Sequence, residues 1–312
     1  MATVTAGTTA TPAPVRKGPT RGRRQEAVAG YLFALPFLLL FLVFTIGPVL
    51  ASFLMSFTDL RARDITDPLA VGLVGLDNYT RLFRDETFRQ AALNTAYFVL
   101  VAVPLTMALA LAVAVGLNSG ITRFKALFRV GYYLPVVSSI VAVAVVWRFL
   151  LEPESGIVNT LLGYVGVDGP SWVRSETWAM PALIVMAAWR NLGYLVVIFL
   201  AGLQVVPKEM HEAASIDGAG TWARFRNITL PLMRPTLLFG GVVTTIGYLQ
   251  FFEEPFVMTQ GGPLDKTLST AYYTYNQFGF GNYSYAAAIG YVLFIVVALV
   301  TAVQFKFLGE KD

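Results

Sequence analysis

The sequence predicts an all-α, polytopic membrane protein with about six transmembrane helices. Hydrophobic residues fill 56% of the 312 positions and charged residues only 13%. A soluble domain usually carries about 25% charged residues, so this chain cannot cover a surface that faces water. Long apolar stretches recur along it, each sufficient to cross about 30 Å of hydrocarbon. They are too long and too uniformly apolar for barrel strands, and lipid offers no partner to unpaired backbone groups. Each is therefore predicted to be a helix.

The first stretch follows a tail rich in Thr, Ala, Pro and Gly. A signal peptide is the competing interpretation, but its apolar core would be shorter, about 7–15 residues. Pro36 and Pro48 are expected to kink the first helix. The fourth stretch is interrupted by Arg190. The six predicted spans are residues 27–58, 91–117, 130–147, 178–203, 235–252 and 285–305.

Arginine and lysine counts orient the chain. Five lie in the N-terminal tail, three before the third span, four before the fifth and two near the C-terminus, against seven in the remaining loops. Both termini are therefore predicted to be cytoplasmic. We assign residues 1–26 to a disordered cytoplasmic tail, 27–308 to the transmembrane domain and 309–312 to a cytoplasmic end. The net charge of +4 is read as this topology signal, and we expect no nucleic-acid partner.

Sequence motifs for catalysis are missing. The chain has no cysteine and one histidine, and no carboxylate pair, metal cluster or nucleophile constellation stands out. It also lacks a Gly-x-x-x-x-Gly-Lys-Ser/Thr loop. We therefore predict no catalytic residue, no metal site and no cofactor bound by this chain.

The loop before the fifth span, residues 206–231, is the most informative segment. Its pattern predicts two short helices joined by a tight turn, in which Gly218 and Gly220 are expected to adopt the left-handed backbone that ends the first helix. The small side chains Ala213 and Ala214 share a face with Asp217. Such a face suits docking into a groove on another protein. Packing on the protein's own helices is an equal alternative from these residues alone.

The same loop resembles the EAA loop of ABC-importer permeases of the binding-protein-dependent type. The resemblance rests on Glu212-Ala-Ala, Asp217-Gly-Ala and Ile228-Thr-Leu-Pro at the family's spacing. Further features resemble the carbohydrate-uptake branch, the maltose- and lactose-type permeases. They are Asn94-Thr95, Tyr133-Leu-Pro135, the segment 147–161 and Gly261-Gly-Pro263.

The resemblance implies a type I ABC importer transmembrane domain in a bacterial cell membrane. A second homologous permease, a dimer of ABC ATPase subunits and an extracytoplasmic solute-binding protein are the expected partners. ATP and Mg would sit on the ATPase, and this chain would not be an enzyme. Coupling to the ATPase would use the residues Glu212, Ala213, Ala214, Asp217 and Gly218. The expected cargo is a sugar, of disaccharide or oligosaccharide size.

The fifth span shows a polar and aromatic face, with Thr244, Tyr248 and Phe251 on one side of the helix. Such groups suit sugar hydroxyls and ring C–H faces. Ordinary helix packing is the alternative for the aromatic rings. The positions carried over from maltose-type permeases as sugar contacts are Asn191, Tyr194, Thr244, Gly247, Tyr248 and Phe251.

Arg190 is an intramembrane charge, and such charges are usually functional. It is expected to face the translocation path or to pair with Glu253, Glu254 or an acid of a partner subunit. Snorkelling to the outer surface is the alternative.

Three other functions compete with sugar import. An ion-coupled secondary transporter would show internal repeats and intramembrane acids, which are not seen here. A membrane-bound enzyme lacks a candidate site. An importer of glycerol phosphate or another polar solute would share this architecture, but phosphate favours several Arg or Lys residues in the path.

Overall fold

The computed structural model describes residues 21–66, 71–118 and 125–308, and these are almost entirely helical. Within these ranges, strand pairing is limited to one isolated bridge between Thr58 and Leu73. The chain divides into two compact units that join after Ser52. Residues 1–20 of the predicted tail and the predicted end at 309–312 lie outside the described ranges.

The first unit, as far as it is described, is a long apolar helix. It comprises α1 (Arg21–Phe41), a π-helical turn (Leu42–Ile46) and the start of α2 (Gly47–Met55). The turn is closed by a hydrogen bond from the Gly47 N–H to the Leu42 carbonyl. It ends two residues before Pro48, which has no N–H to continue the regular pattern. Because α1 begins at Arg21, the predicted boundary at residue 26 falls inside a helix.

The second unit holds the remaining helices. A 3₁₀ turn (Ala62–Thr66) precedes them. A π-helical turn (Phe225–Thr229) joins two short helices, α10 and α11. In order the helices are α3 (Asp77–Arg84), α4 (Glu86–Asn118), α5 (Lys125–Val137), α6 (Ile140–Leu150), α7 (Ile157–Tyr164), α8 (Ala179–Val205), α9 (Lys208–Ile216), α10 (Thr221–Arg224), α11 (Leu230–Leu232), α12 (Arg234–Leu249), α13 (Glu253–Met258), α14 (Thr270–Gly279) and α15 (Tyr283–Leu308).

Among the described residues, four helices are long and apolar enough to cross a membrane. They cover Gln25–Met55, Glu86–Asn118, Ala179–Val205 and Tyr283–Phe307. Two bent pairs bring the number to six if each pair counts as one span: α5 with α6, bent by 108°, and the helix ending at Leu232 with α12, bent by 68°. The predicted class of fold is therefore confirmed.

The third predicted span, residues 130–147, was wrong as a single helix. The helix breaks at Ser138 and Ser139, between α5 and α6. Pro135 lies three residues before the break and removes a backbone donor from the last turn of α5. The Ser138 hydroxyl donates to the Leu134 carbonyl at 2.8 Å. A serine hydroxyl that binds the carbonyl four residues earlier often bends a helix.

The core of the second unit lies between α4 and α8, which pack together along much of their length. The contact is built from small residues facing large ones. Ala110 and Ala114 of α4 belong to the same buried cluster as Leu195 and Phe199 of α8. Small side chains let helix backbones approach closely where lipid provides no hydrophobic drive. This pair forms the scaffold against which α12 packs.

Asp85, between α3 and α4, links the start of α4 to α14 and α15 by hydrogen bonds. Its carboxylate accepts hydrogen bonds from the Tyr273 and Tyr285 hydroxyls, at 2.5 and 2.6 Å. The backbone N–H groups of Thr87 and Phe88 also donate to it, at 2.9 and 3.2 Å. Burial alone would raise the pKa of Asp85, but these hydrogen bonds outweigh burial and lower the pKa below its ordinary value of 3.8.

Candidate functional site

A polar cavity of about 300 Å³ opens among α6, α8, α12 and α13. Its lining includes all six positions predicted to contact sugar, together with Arg190. A larger groove of about 580 Å³ runs along α5 and α8, but its walls are mostly apolar. The smaller cavity is therefore the candidate binding site. The predicted residues lining it are Arg190, Asn191, Tyr194, Thr244, Gly247, Tyr248 and Phe251.

Tyr248 connects three helices at the base of this cavity. Its ring is only 4% exposed. Its hydroxyl lies 3.0 Å from the Thr106 hydroxyl of α4 and accepts a hydrogen bond from the Asn191 amide of α8 at 3.3 Å. The Asn191 amide also donates to the Ala187 carbonyl at 3.0 Å. These bonds hold the polar ends of Tyr248 and Asn191 in fixed positions.

Of the other predicted residues, Phe251 is buried in the helix packing, whereas Tyr194 is partly exposed to the cavity. Phe251 is 3% exposed and stacks on Phe98 with ring centroids 3.9 Å apart, so it mainly packs. The Thr244 hydroxyl donates to the Gly240 carbonyl at 2.7 Å. Tyr194 keeps 38% of its surface exposed. Its ring is thus the more available aromatic surface in the cavity.

Two charged groups in the cavity wall have unpartnered atoms. Arg190 is half-buried, and its Nε has no hydrogen-bond partner among the described residues. Glu254 is 4% exposed, and its Oε2 likewise has no partner there. Within the same ranges Arg190 forms no ion pair with Glu253 or Glu254. Arg190 lines the cavity without such a pair, and its position along a translocation path stays a prediction.

Sequence reasoning missed two participants in this site. Thr106 was not considered, because nothing in the local pattern of α4 indicates that it meets Tyr248. Glu254 was named as a possible partner of Arg190 and was not among the predicted sugar contacts. Glu254 is buried because it lies in the first turn of α13, a short helix that packs against α6 and α8.

The predicted coupling loop forms a separate, exposed structure. Helix α9 ends at Ile216, and Gly218 in the turn that follows has the predicted left-handed conformation with φ of +80°. The Ala219 N–H closes the turn by donating to the Ala214 carbonyl at 2.8 Å. The side chains of Glu212 and Ala213 are exposed, as is Asp217, whereas Ala214 is half-buried.

Apolar side chains flank these residues without cover from the rest of the chain. Ile216 is 88% exposed and Trp222 is 70% exposed. Large apolar side chains that are left exposed in one patch often mark a surface that binds another molecule. These two side chains are thus left uncovered by the described part of the chain, and docking of the helix pair onto another protein stays a prediction.

Helical spans, a polar cavity between them and a pair of exposed short helices in a loop are the features of a membrane transporter subunit. The chain belongs to the family described as binding-protein-dependent transport system inner membrane component, whose pattern matches residues 107–308.

Relatives of this chain extend beyond the matched segment. This chain is 36% identical over 295 residues to the lactose transport system permease protein LacF of Rhizobium radiobacter, and the alignment covers 93% of this chain and 97% of LacF. It is 35% identical over 294 residues to the arabinooligosaccharides transport system permease protein AraP of Bacillus subtilis, covering 91% and 90%.

A solved structure shares the fold. It is a chain of a bacterial alginate ABC transporter in complex with an alginate pentasaccharide-bound periplasmic protein. The TM-score is 0.79 at 23% identity, over 92% of this chain and 97% of that one.

Membership of this family fixes the general role. The chain is a multi-pass permease subunit of an ABC importer in the inner membrane, and a transporter rather than an enzyme. It works with another permease, an ATPase and a solute-binding protein.

Proposed function

We propose that this chain, together with a second homologous permease, forms the translocation path for a sugar of disaccharide or oligosaccharide size. The observation that carries the proposal is the polar cavity, which gathers all six residues expected to contact sugar. The names of the relatives, a lactose permease and an arabinooligosaccharide permease, support a sugar as cargo.

The lining of the cavity has the chemistry that a sugar needs. Sugar hydroxyls require amide and carboxyl partners, and the rings expose C–H faces that favour aromatic surfaces. Asn191 and Gln250 offer amides, and the partly exposed ring of Tyr194 offers an aromatic face. Gly247 leaves open space beside them, with no atom within 4 Å of the position of an added Cβ.

The charges disfavour the main alternative cargo, glycerol phosphate. A phosphate group favours several basic side chains arranged around it. Arg190 is the one basic residue among those lining the cavity, and Glu253 and Glu254 line the same space. An anionic phosphate would therefore meet at least as many negative as positive groups on this chain.

Coupling to ATP hydrolysis is proposed to use α9 and the turn that follows it. Glu212 and Ala213 are exposed beside Ile216 and Trp222, so this surface is open to an ATPase subunit. Glu212 would face a basic group in a cleft of that subunit, and Gly218 would set the angle between α9 and α10. ATP and Mg would bind to the ATPase dimer alone.

The sugar site is tested by replacing Tyr194 with alanine in the complete transporter. We expect the KM for uptake of the delivered sugar to rise several-fold, because the ring contributes contact area inside the cavity. Tyr164→Ala is the matched control, since Tyr164 lies on α7, is 82% exposed and does not line the cavity. Equal uptake kinetics in both variants and the wild type would contradict the site.

The coupling surface is tested by charge reversal at Glu212. Removing one partner of a buried interfacial charge pair typically costs about 2–5 kcal/mol, and reversal should weaken docking at least as much. We expect Glu212→Lys to lose the ATPase during purification, or to keep it without stimulation by the loaded binding protein. Glu209→Lys, on the same helix outside the EAA motif, is the control and should retain both. Normal stimulation in Glu212→Lys would show that α9 does not dock as proposed.

A further inference from the structure

The Glu254 carboxyl is an unusual group in the wall of the candidate sugar cavity. It is buried to 4% exposure, and Oε2 has no hydrogen-bond partner among the described residues. A buried polar atom without a partner is destabilising, so native proteins retain few of them. Those that persist in a cavity often serve a ligand. Neither the six predicted contacts nor the family motifs include this residue.

The neighbouring groups leave the carboxyl without a neutralising partner. Glu253, the adjacent residue on α13, is exposed and acidic. Arg190 on α8 lines the same cavity but forms no ion pair with either glutamate within the described ranges. The other titratable groups that line it are the phenols of Tyr194 and Tyr248, from α8 and α12.

Protonation adds a second mode of hydrogen bonding. Burial raises the pKa of Glu254 to about 7, and Glu253 adds to the rise, while the backbone N–H of Glu254 and the charge of Arg190 oppose it. Near neutral pH the carboxyl therefore exists in both forms. It can accept a hydrogen bond as a carboxylate and donate one as an acid.

The same charges act on any anionic ligand. With Arg190 positive and Glu253 negative, the lining carries no net positive charge even when Glu254 is protonated, and it is negative when Glu254 is ionised. A ligand carboxylate would lose its water shell in this cavity without gaining a surplus of positive groups. A sugar hydroxyl would instead satisfy the free oxygen of Glu254 without introducing charge.

We propose that Glu254 is a substrate-binding residue, which hydrogen-bonds a sugar hydroxyl and restricts this cavity to uncharged sugars. The inference rests on the proposed function, because it assumes that the cavity receives a sugar. It adds a binding residue and a charge class to that function.

The test uses the purified complex of both permeases and the ATPase dimer in nanodiscs, because a binding protein would select the sugar first. Saturation-transfer NMR titrations compare maltose, lactose and arabinobiose as neutral probes with digalacturonate as the acidic probe. Glu254→Leu removes the hydrogen-bonding group, and Glu254→Gln keeps its shape but cannot ionise. Glu154→Leu is the control, since Glu154 is exposed and lies outside the cavity.

We expect the wild type to bind at least one neutral disaccharide and to reject digalacturonate. Its affinity should change between pH 6 and pH 8, whereas that of Glu254→Gln should not. Glu254→Leu should weaken neutral binding about tenfold or more, as expected for loss of a hydrogen bond to a charged group. Glu154→Leu should stay within about twofold, as for a surface substitution.

Distinct results separate the two hypotheses. If Tyr194→Ala weakens neutral binding but Glu254→Leu does not, the role of Glu254 is wrong and the sugar site stands. Digalacturonate binding as tight as neutral binding in the wild type overturns the charge restriction. If Glu254→Leu does not assemble, Glu254→Gln decides, and an unchanged pH dependence refutes the inference. No neutral binding in the wild type, with normal uptake in Tyr194→Ala, refutes the proposed function itself.

Discussion

The contact between α8 and α12 depends on the absence of a side chain at Gly240. A Cβ added there would lie 2.8 Å from Cε1 of the Phe199 ring and 3.3 Å from Leu195 Cδ2. Ordinary contacts begin at 3.4 Å, so the ring would have to retreat by at least about 0.6 Å. Phe199 is fully buried and cannot swing away. Overpacking of this kind destabilises by about 1–3 kcal/mol.

The matched control for Gly240→Ala is Gly290→Ala on α15, where an added Cβ meets no atom within 4 Å. Both changes replace a mid-helical glycine with alanine, so the gain in helix propensity of about 1 kcal/mol cancels in the comparison. The difference between the variants measures the packing term alone. In thermal melting of the complete complex at one scan rate, we expect Gly240→Ala to melt several degrees below Gly290→Ala. Equal melting temperatures would refute the close packing of α12 on α8.

Two further predictions concern the loops of the second unit. Asp85→Asn should lower the melting temperature at pH 7, because the variant loses the charge that accepts hydrogen bonds from Tyr273 and Tyr285. A hydrogen bond to a charged group contributes about 1.5–3 kcal/mol to the free energy of unfolding. Since the folded pKa of Asp85 is lowered, this stabilisation is present above pH 3.8 and is lost as the pH falls through the folded value, so variant and wild type should converge in acid. In ATPase assays, Gly218→Ala should reduce stimulation by the binding protein, because φ of +80° is strained by about 1–2 kcal/mol in residues with a side chain. Gly220→Ala should not, since φ there is −65°. A milder effect at Gly218 than at Gly220 would contradict the role of the turn.

The membrane fold was predictable because the bilayer imposes a simple requirement on sequence. A helix that crosses lipid must be long and apolar, and these stretches stand out without any knowledge of packing. The turn at Gly218 was predictable for a similar reason, because glycine tolerates its backbone conformation without strain. The left-handed conformation also expected at Gly220 was wrong, since that residue instead precedes α10 with an ordinary φ.

The interior of the site was less accessible from sequence. Helical spacing placed Thr244, Tyr248 and Phe251 on one face but could not divide them between cavity and core. That division depends on Phe98, which covers the Phe251 ring from a helix about 150 residues earlier in the chain. The break at Ser138 and Ser139 had a local signal, a proline followed by a serine pair. It was outweighed by the uniformly apolar residues on both sides.

The hydroxyl of Tyr248 has a mechanical consequence for transport. Through Thr106 and Asn191 it fastens α4, α8 and α12 to one another at a single buried point. Sliding of any one of these helices past the others would break these buried hydrogen bonds, and an unpaired polar group in a low-dielectric interior is costly. This side of the cavity therefore moves as a rigid body. Changes in the volume of the cavity must therefore come from the rest of its lining, which includes the short helix α13.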